Sequence, residues 1–184
     1  MKKHATRMLT EGAIFVALAQ ILGYIKLYTM PWDGSVTLMM IPMVIYALRW
    51  GVKQGLLASF VLGILQFTLD GGFVLGWQSI LGDYVLAATL LGLAGLFHKS
   101  KYGFVFGSLV AGFGQFLSVY ITGATIWAEY MPETFFGLTM TTPWFYSALY
   151  NGAYMLPNTV ICIVILALAQ KPLGKYLRGD DIAQ

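Results

Sequence analysis

No charged side chain occurs between Glu133 and Lys171, and none between Lys101 and Glu129. Uncharged apolar stretches of this length exceed the ~20 residues that carry an α-helix across the ~30 Å hydrocarbon layer of a bilayer. The rest of the chain agrees. Of 184 residues, 58% are hydrophobic and 10% charged, against about 25% charged in soluble domains. These features exclude a soluble globule, a disordered chain, a nucleic-acid-binding module and a disulfide scaffold. Six spans of ~20 residues take up most of the chain, which leaves no room for a catalytic or ATP-hydrolysing domain beside them.

The pattern predicts a single all-α integral membrane domain over 1–184, with six transmembrane helices at approximately 9–27, 36–50, 52–69, 77–97, 103–127 and 144–169. The second is short and is followed at once by Arg49 and Lys53, as in a tight hairpin at one interface. The start, Met1-Lys2-Lys3 before an apolar stretch, imitates a secretory signal. Glu11 at the head of that stretch and the lack of a small-x-small cleavage site before Tyr28 identify it instead as a retained first helix.

Charge placement sets the expected orientation. Lys2, Lys3 and Arg7 precede the first helix, Arg49 and Lys53 join the second and third, Lys99 and Lys101 join the fourth and fifth, and Lys171, Lys175 and Arg178 follow the sixth. Ten of the eleven basic residues thus fall on one side, and only Lys26 does not. The positive-inside rule then puts both termini in the cytoplasm. The other side carries Asp33, Asp70, Glu129 and Glu133, a balance that attracts cations and repels multivalent anions.

No P-loop, zinc-ligand cluster, Ser/His/Asp set or dinucleotide-binding glycine pattern is present, so neither catalysis nor a bound metal or cofactor is expected. His4 lies in the tail and His98 in a cytoplasmic loop. Cys162 is the lone cysteine, which excludes an internal disulfide. Gly103, Gly107 and Ala111 recur every four residues, the small-residue spacing of closely packed membrane helices.

Apart from Glu11 at the head of the first helix, one carboxylate, Asp83, falls inside a predicted span, where an ionisable group is costly and marks a function by default. Counting from Trp77, it lies ~9 Å below the outer surface at 1.5 Å per residue. Asn151, counted from Trp144, and Tyr120, counted from Trp127, lie ~10 Å deep by the same rise. Tyr120 and Trp127 share a helix face, with Gly123 between them. A carboxylate, an amide and aromatic rings at one depth suit a small, flat, nitrogen-rich cation, held by cation–π attraction and paired N–H donors. Trp77 and Trp144 fit an interfacial aromatic belt, Asn158 fits interhelical hydrogen bonding, and Tyr150 and Tyr154 are assigned to the core.

Leu9-Thr10-Glu11-x-Ala13, Met30-Pro31-x-x-Gly34-Ser35-Val36, Met40-Ile41-Pro42, Arg49-Trp50-Gly51-Val52-Lys53-x-Gly55, Asp83-Tyr84, Gly92-x-Ala94-Gly95, Ile121-x-Gly123 and Tyr146-Ser147-x-x-Tyr150-Asn151 with Tyr154-Met155-x-Pro157 follow one another in this order. In that order and spacing the chain resembles the thiamine-specific S component of energy-coupling-factor (ECF) vitamin transporters, the proton-coupled thiamine transporter family. The resemblance implies a bacterial plasma-membrane protein of six helices that binds thiamine near the outer surface. It implies no cofactor, no nucleic acid and no enzymatic activity, and it implies delivery through a membrane-embedded T component and two ATPase subunits. By position, Trp32 resembles the family's lid aromatic, and Asp83 beside Tyr84 the partner of the aminopyrimidine. Trp127 resembles the stacking partner, Tyr146 and Asn151 the contacts from the sixth helix, and Ala13 with Ala17 the docking motif for the T component.

Two positions depart from the family pattern. Val119 stands where a histidine is usual and Gln115 where an arginine is usual. Tyr120, next to Val119 and on the Trp127 face, is the nearest aromatic to the lost imidazole. The competing reading is a self-sufficient cation-coupled secondary carrier, for thiamine or a related vitamin or pyrimidine precursor, with Asp83 carrying the coupling proton. Inverted repeats and broken helices, common in such carriers, are not visible in the sequence.

Overall fold

The computed structural model describes residues 2–70 and 74–182; the side chains of Lys2, Lys3 and Asp70, used above to set orientation, lie outside the described residues. The chain is an all-helical bundle with two small β-ribbons. Helix α1 covers Lys2–Tyr24, α2 Met40–Trp50, α3 Val52–Asp70, α4 Trp77–Phe97, α5 Gly103–Thr125 and α6 Pro143–Leu177. All but α2 are long and apolar enough to cross a membrane. The ribbons lie between helices: β1 (Tyr28–Thr29) pairs with β2 (Ser35–Val36), and β3 (Thr134–Phe135) with β4 (Leu138–Thr139).

Helix α2 rises only ~16 Å, too short to cross by itself. It holds its place because every residue except Ile45 is buried, against α1, α3, α4, α5 and α6. The sequence reading began this helix at residue 36. In the structure Val36 pairs across the ribbon with Tyr28, and Leu27 N–H donates to the Val36 carbonyl at 2.8 Å, so strand pairing ends α1 early and delays α2. Helix α6 runs beyond the expected 169 to Leu177, through Pro157 and Pro172. Its start is fixed by Pro143 at the first turn and by the Thr142 hydroxyl, which accepts from Phe145 N–H at 3.1 Å.

Helix α4 departs from α geometry twice: Ile80–Leu86 is a π-helix and Leu90–Phe97 a 3₁₀-helix. The second departure goes with close packing. A methyl group on Gly92 or Gly95 would run into the backbone of α3 at Leu56 or Val52. The turn between α2 and α3 depends on Gly51 at φ +88°, a conformation open to glycine.

At the end of the bundle where both termini meet, Arg49 is fully buried with all five N–H donors engaged. It donates to both oxygens of Glu11 (2.6 and 3.0 Å), to both of Asp181 (2.5 and 2.8 Å) and to the Tyr176 carbonyl (2.8 Å). The Tyr176 ring lies 3.6 Å from its guanidinium carbon. Arg7 bridges Glu11 and Asp181, and Trp50 Nε1–H donates to Glu11 at 2.8 Å. The sequence reading used Arg49 as a charge between the second and third helices that marks one side; the structure buries it at the end of α2, as the centre of a clasp joining α1, α2 and the C-terminal tail.

Candidate functional site

A cavity of about 520 Å³ opens at the other end of the bundle, between α4, α5, α6 and the loop that joins α1 to α2. The π segment carries Asp83 and Tyr84 into its wall. Gly82 packs against Thr122, where any side chain would collide with the hydroxyl, and its carbonyl accepts from Ser118 Oγ at 2.6 Å. A hydroxyl from α5 thus satisfies a carbonyl within the π segment, and such segments cluster at functional sites. Asp83 Oδ2 accepts from Trp127 Nε1–H at 2.7 Å, so the carboxylate and the indole beyond the end of α5 hold each other in place.

Helix α6 supplies the facing wall. Asn151, 5% exposed, donates through Nδ2 to the Ser147 carbonyl and hydroxyl (both 3.0 Å) and to the Val119 carbonyl (3.3 Å). Its Oδ1 accepts from Tyr154 O–H at 2.7 Å. These bonds fix its amide orientation at the cavity surface. Gly123 is required beside it, because a Cβ there would strike the Ser147 hydroxyl. Tyr146 stands edge-on to Phe135 of the β3–β4 ribbon, with ring centroids 5.3 Å apart. Phe136 and Gly137, both at positive φ, make the tight turn of that ribbon.

The structure brings Trp32, Asp83, Tyr84, Gly123, Trp127, Tyr146 and Asn151 around one cavity. Tyr120 does not line it. Its ring stacks on Phe116 (5.6 Å) and meets Trp144 edge-on (5.3 Å), while its carbonyl accepts from Ser147 Oγ. Tyr120 therefore does not stand in at Val119, which lines the cavity, as does Gln115 one turn below.

Several cavity residues were missed in the sequence. Tyr150 and Tyr154, assigned to the core, line the cavity, as does Asn158, assigned to helix pairing. Four residues separate Tyr146, Tyr150, Tyr154 and Asn158, a helical stripe that could have marked one face. Tyr130 also lies between Trp32 and Trp127, 6.0 and 5.7 Å from them, so the two tryptophans are linked through a third ring. Trp77, 66% exposed, lies outside the cavity, as does Trp144. Ala13 and Ala17 are exposed on the outer face of α1.

Asp83 is the one acid at depth. The other lining acid, Asp33, is paired with Lys26 at the rim, and Lys26 is the only base among the described lining residues. An uncompensated carboxylate amid aromatic rings suits a cation that also carries N–H donors. Among the described residues no group of His, Cys, Asp and Glu could hold a metal ion.

The chain is 32% identical to the thiamine transporter ThiT of Bacillus subtilis (strain 168), with 94% of each chain covered. It is 31% identical to the thiamine transporter ThiT of Lacticaseibacillus paracasei, covering 88% of this chain and 85% of that one. Its fold superposes on ThiT from Listeria monocytogenes with a TM-score of 0.81 at 23% identity, covering 94% of this chain and 98% of the other. A transport role in a bacterial plasma membrane, with several membrane-crossing helices and no catalysis, follows from this relatedness. With a match to the family described as Thiamine transporter protein (Thia_YuaJ) that runs from residue 9 to residue 177, the chain belongs to that family.

Proposed function

We propose that the protein binds thiamine in the cavity between α4, α5 and α6 and serves as the substrate-binding subunit of an ECF-type importer. The observation that carries this reading is the half-buried Asp83 carboxylate, fixed by Trp127 and surrounded by aromatic rings, with no base beside it among the described lining residues at depth. Thiamine matches both features. Its aminopyrimidine offers an exocyclic amine beside a ring nitrogen to the carboxylate, and its thiazolium carries a fixed positive charge to the rings of Trp127 and Trp32. Cation–π attraction adds up to ~2 kcal/mol when the pair is desolvated. Tyr84, Tyr146 and Asn151 complete the pocket. In the purified protein, thiamine at micromolar concentration should quench tryptophan fluorescence. A response only to free hydroxymethyl-aminopyrimidine or to pyridoxine would retain the architecture and overturn the substrate.

Transport by this reading requires partners. Ala13 and Ala17, one turn apart and exposed, form a smooth strip on α1 where a T-component helix can approach closely. Replacing both with tryptophan should abolish uptake by the full complex while thiamine binding to the isolated subunit stays within about twofold. Normal uptake by the double variant removes the docking assignment. Thiamine accumulation in ATP-free proteoliposomes holding only this chain would favour the secondary carrier instead.

The cavity then faces outside, and the Arg49 clasp, with both termini, faces the cytoplasm. Cysteine labelling in intact cells should reach a site beside Glu133 and spare one beside Lys101; the reverse pattern inverts the orientation.

A further inference from the structure

We propose that Tyr150 is a positioning residue that latches the tip of the first outer loop over the cavity, and that its release limits ligand exchange. The loop from Leu27 to Thr37 forms one side of the cavity through Trp32, Asp33, Gly34, Ser35 and Thr37. Its own structure is slight. Two residue pairs join its strands, and Met30 N–H donates across the tip to the Gly34 carbonyl at 2.7 Å.

Two side chains of α6 tie this loop to the bundle, both through its backbone. At the base, Asn158 Oδ1 accepts from Thr37 N–H at 2.8 Å and Nδ2 donates to the Ser35 carbonyl at 3.1 Å. At the tip, the Tyr150 hydroxyl accepts from Gly34 N–H at 3.0 Å and donates to the Pro31 carbonyl at 2.5 Å. Eight residues of helix, ~12 Å, separate the two attachments. The base is held by an amide and by strand pairing, and the buried Met30 stands where the ribbon meets the tip. The tip is held to α6 by that one hydroxyl, with both of its hydrogen-bonding roles in use.

The tip is also set against itself. Trp32 and Asp33 adopt φ +64° and +71°, a region costly for residues other than glycine. Gly34 has no room for a side chain, since a Cβ would lie 2.8 Å from the Tyr150 hydroxyl. Breaking the two hydroxyl bonds leaves the strained turn held by the exposed Lys26–Asp33 ion pair and the edge contact of Trp32 with Tyr130, weak enough for it to swing on its Asn158 base. Trp32, 65% exposed and resting edge-on against Tyr130, moves with it and uncovers the cavity.

Tyr150→Phe removes both bonds and keeps the ring against Tyr146 and Tyr154. Gly34→Ala attacks the same contact from the loop side and leaves Tyr150 unchanged. In the unliganded protein, each variant should raise hydrogen–deuterium exchange of the tip, 30–34, about tenfold, including the Met30 amide bonded across it, while the Leu27 amide at the held base stays near wild type. Acceleration at Gly34 alone, or none, overturns the latch. The second readout rests on the thiamine reading: association and dissociation rates should both rise about tenfold, with the affinity within about threefold of wild type. Faster dissociation with unchanged association would make Tyr150 a ligand contact and overturn its role as a latch. Should thiamine not bind the wild-type protein, the functional reading fails while the exchange measurement still decides the latch.

Discussion

Asp83→Ala should weaken thiamine binding by about 30- to 1,000-fold, the equivalent of about 2–4 kcal/mol for a buried donor left without its charged acceptor. Two interactions disappear together. The ligand amine loses its partner in a dry pocket, and Trp127 Nε1–H loses the carboxylate 2.7 Å away that orients the indole. Trp127→Phe keeps a stacking ring while removing the indole donor, so its smaller loss measures how much of the effect passes through ring orientation. Glu133→Ala, on an exposed outer loop, serves as the control and should leave the titration unchanged. The cost of holding a carboxylate out of water offsets the loss of the Trp127 hydrogen bond, so Asp83→Ala should unfold within a few degrees of wild type. An affinity within about threefold of wild type would remove Asp83 from the binding site.

Arg49→Ala should produce the largest loss of stability of any single change in the chain. Removing one partner of a buried ion-pair network costs about 3–5 kcal/mol, because the charges left behind are desolvated and unpaired. Glu11 has 15% of its side chain exposed, so water cannot readily replace the guanidinium there. At about 2–4 °C per kcal/mol for a chain of this size, the thermal midpoint in detergent should fall by about 10 °C. Arg49→Lys should recover only part of it, because an ammonium cannot serve two carboxylates and a carbonyl in the planar arrangement seen here. A midpoint within 2 °C of wild type would show that the clasp does not hold the fold. The pH dependence has a definite sign. The hydrogen bond from Arg49, aided by one from Arg7, holds the Asp181 carboxyl well below the usual carboxylate range. Its stabilising contribution is therefore fully present above the ordinary aspartate value of about 3.9, and fades as the pH falls from there through the folded value.

Hydropathy located the helices because burial in lipid demands long apolar runs, and the signal survives whatever the local backbone geometry. It said nothing of the π and 3₁₀ segments in α4, which arise from packing partners: Ser118 and Thr122 on α5, and the glycine contact with α3. The boundaries of α1 and α2 were missed because Leu27, Val36 and Thr37 are apolar or neutral residues drawn into a ribbon by long-range bonds. Asp83 stood out at once, since a lone acid at membrane depth has few structural explanations. Tyr150, Tyr154 and Asn158 did not, because tyrosine and asparagine serve helix packing and ligand cavities equally well. Only the loop folding back onto α6 separates the two roles. Arg49 was misjudged for a related reason: its partners Glu11 and Asp181 lie near opposite ends of the chain, and no local pattern announces that they meet.

The π segment at Ile80–Leu86 has a bearing on how this helix can be compared or recombined with others. A π turn accommodates one residue more than the α turn it interrupts. Deleting one residue there would restore an unbroken α ladder and leave the two flanks close to their present relative phase, because the extra residue is what the π turn absorbs. The residues inside the segment, Asp83 among them, are the ones whose directions would change, while Trp77 and Gln78 keep theirs. A hybrid protein that joins the outer half of this helix to a regular one therefore has to keep the extra residue or discard it deliberately. Sequence spacing to Asp83 measured from the outer end differs by one from that of a regular helix holding a carboxylate in the same place.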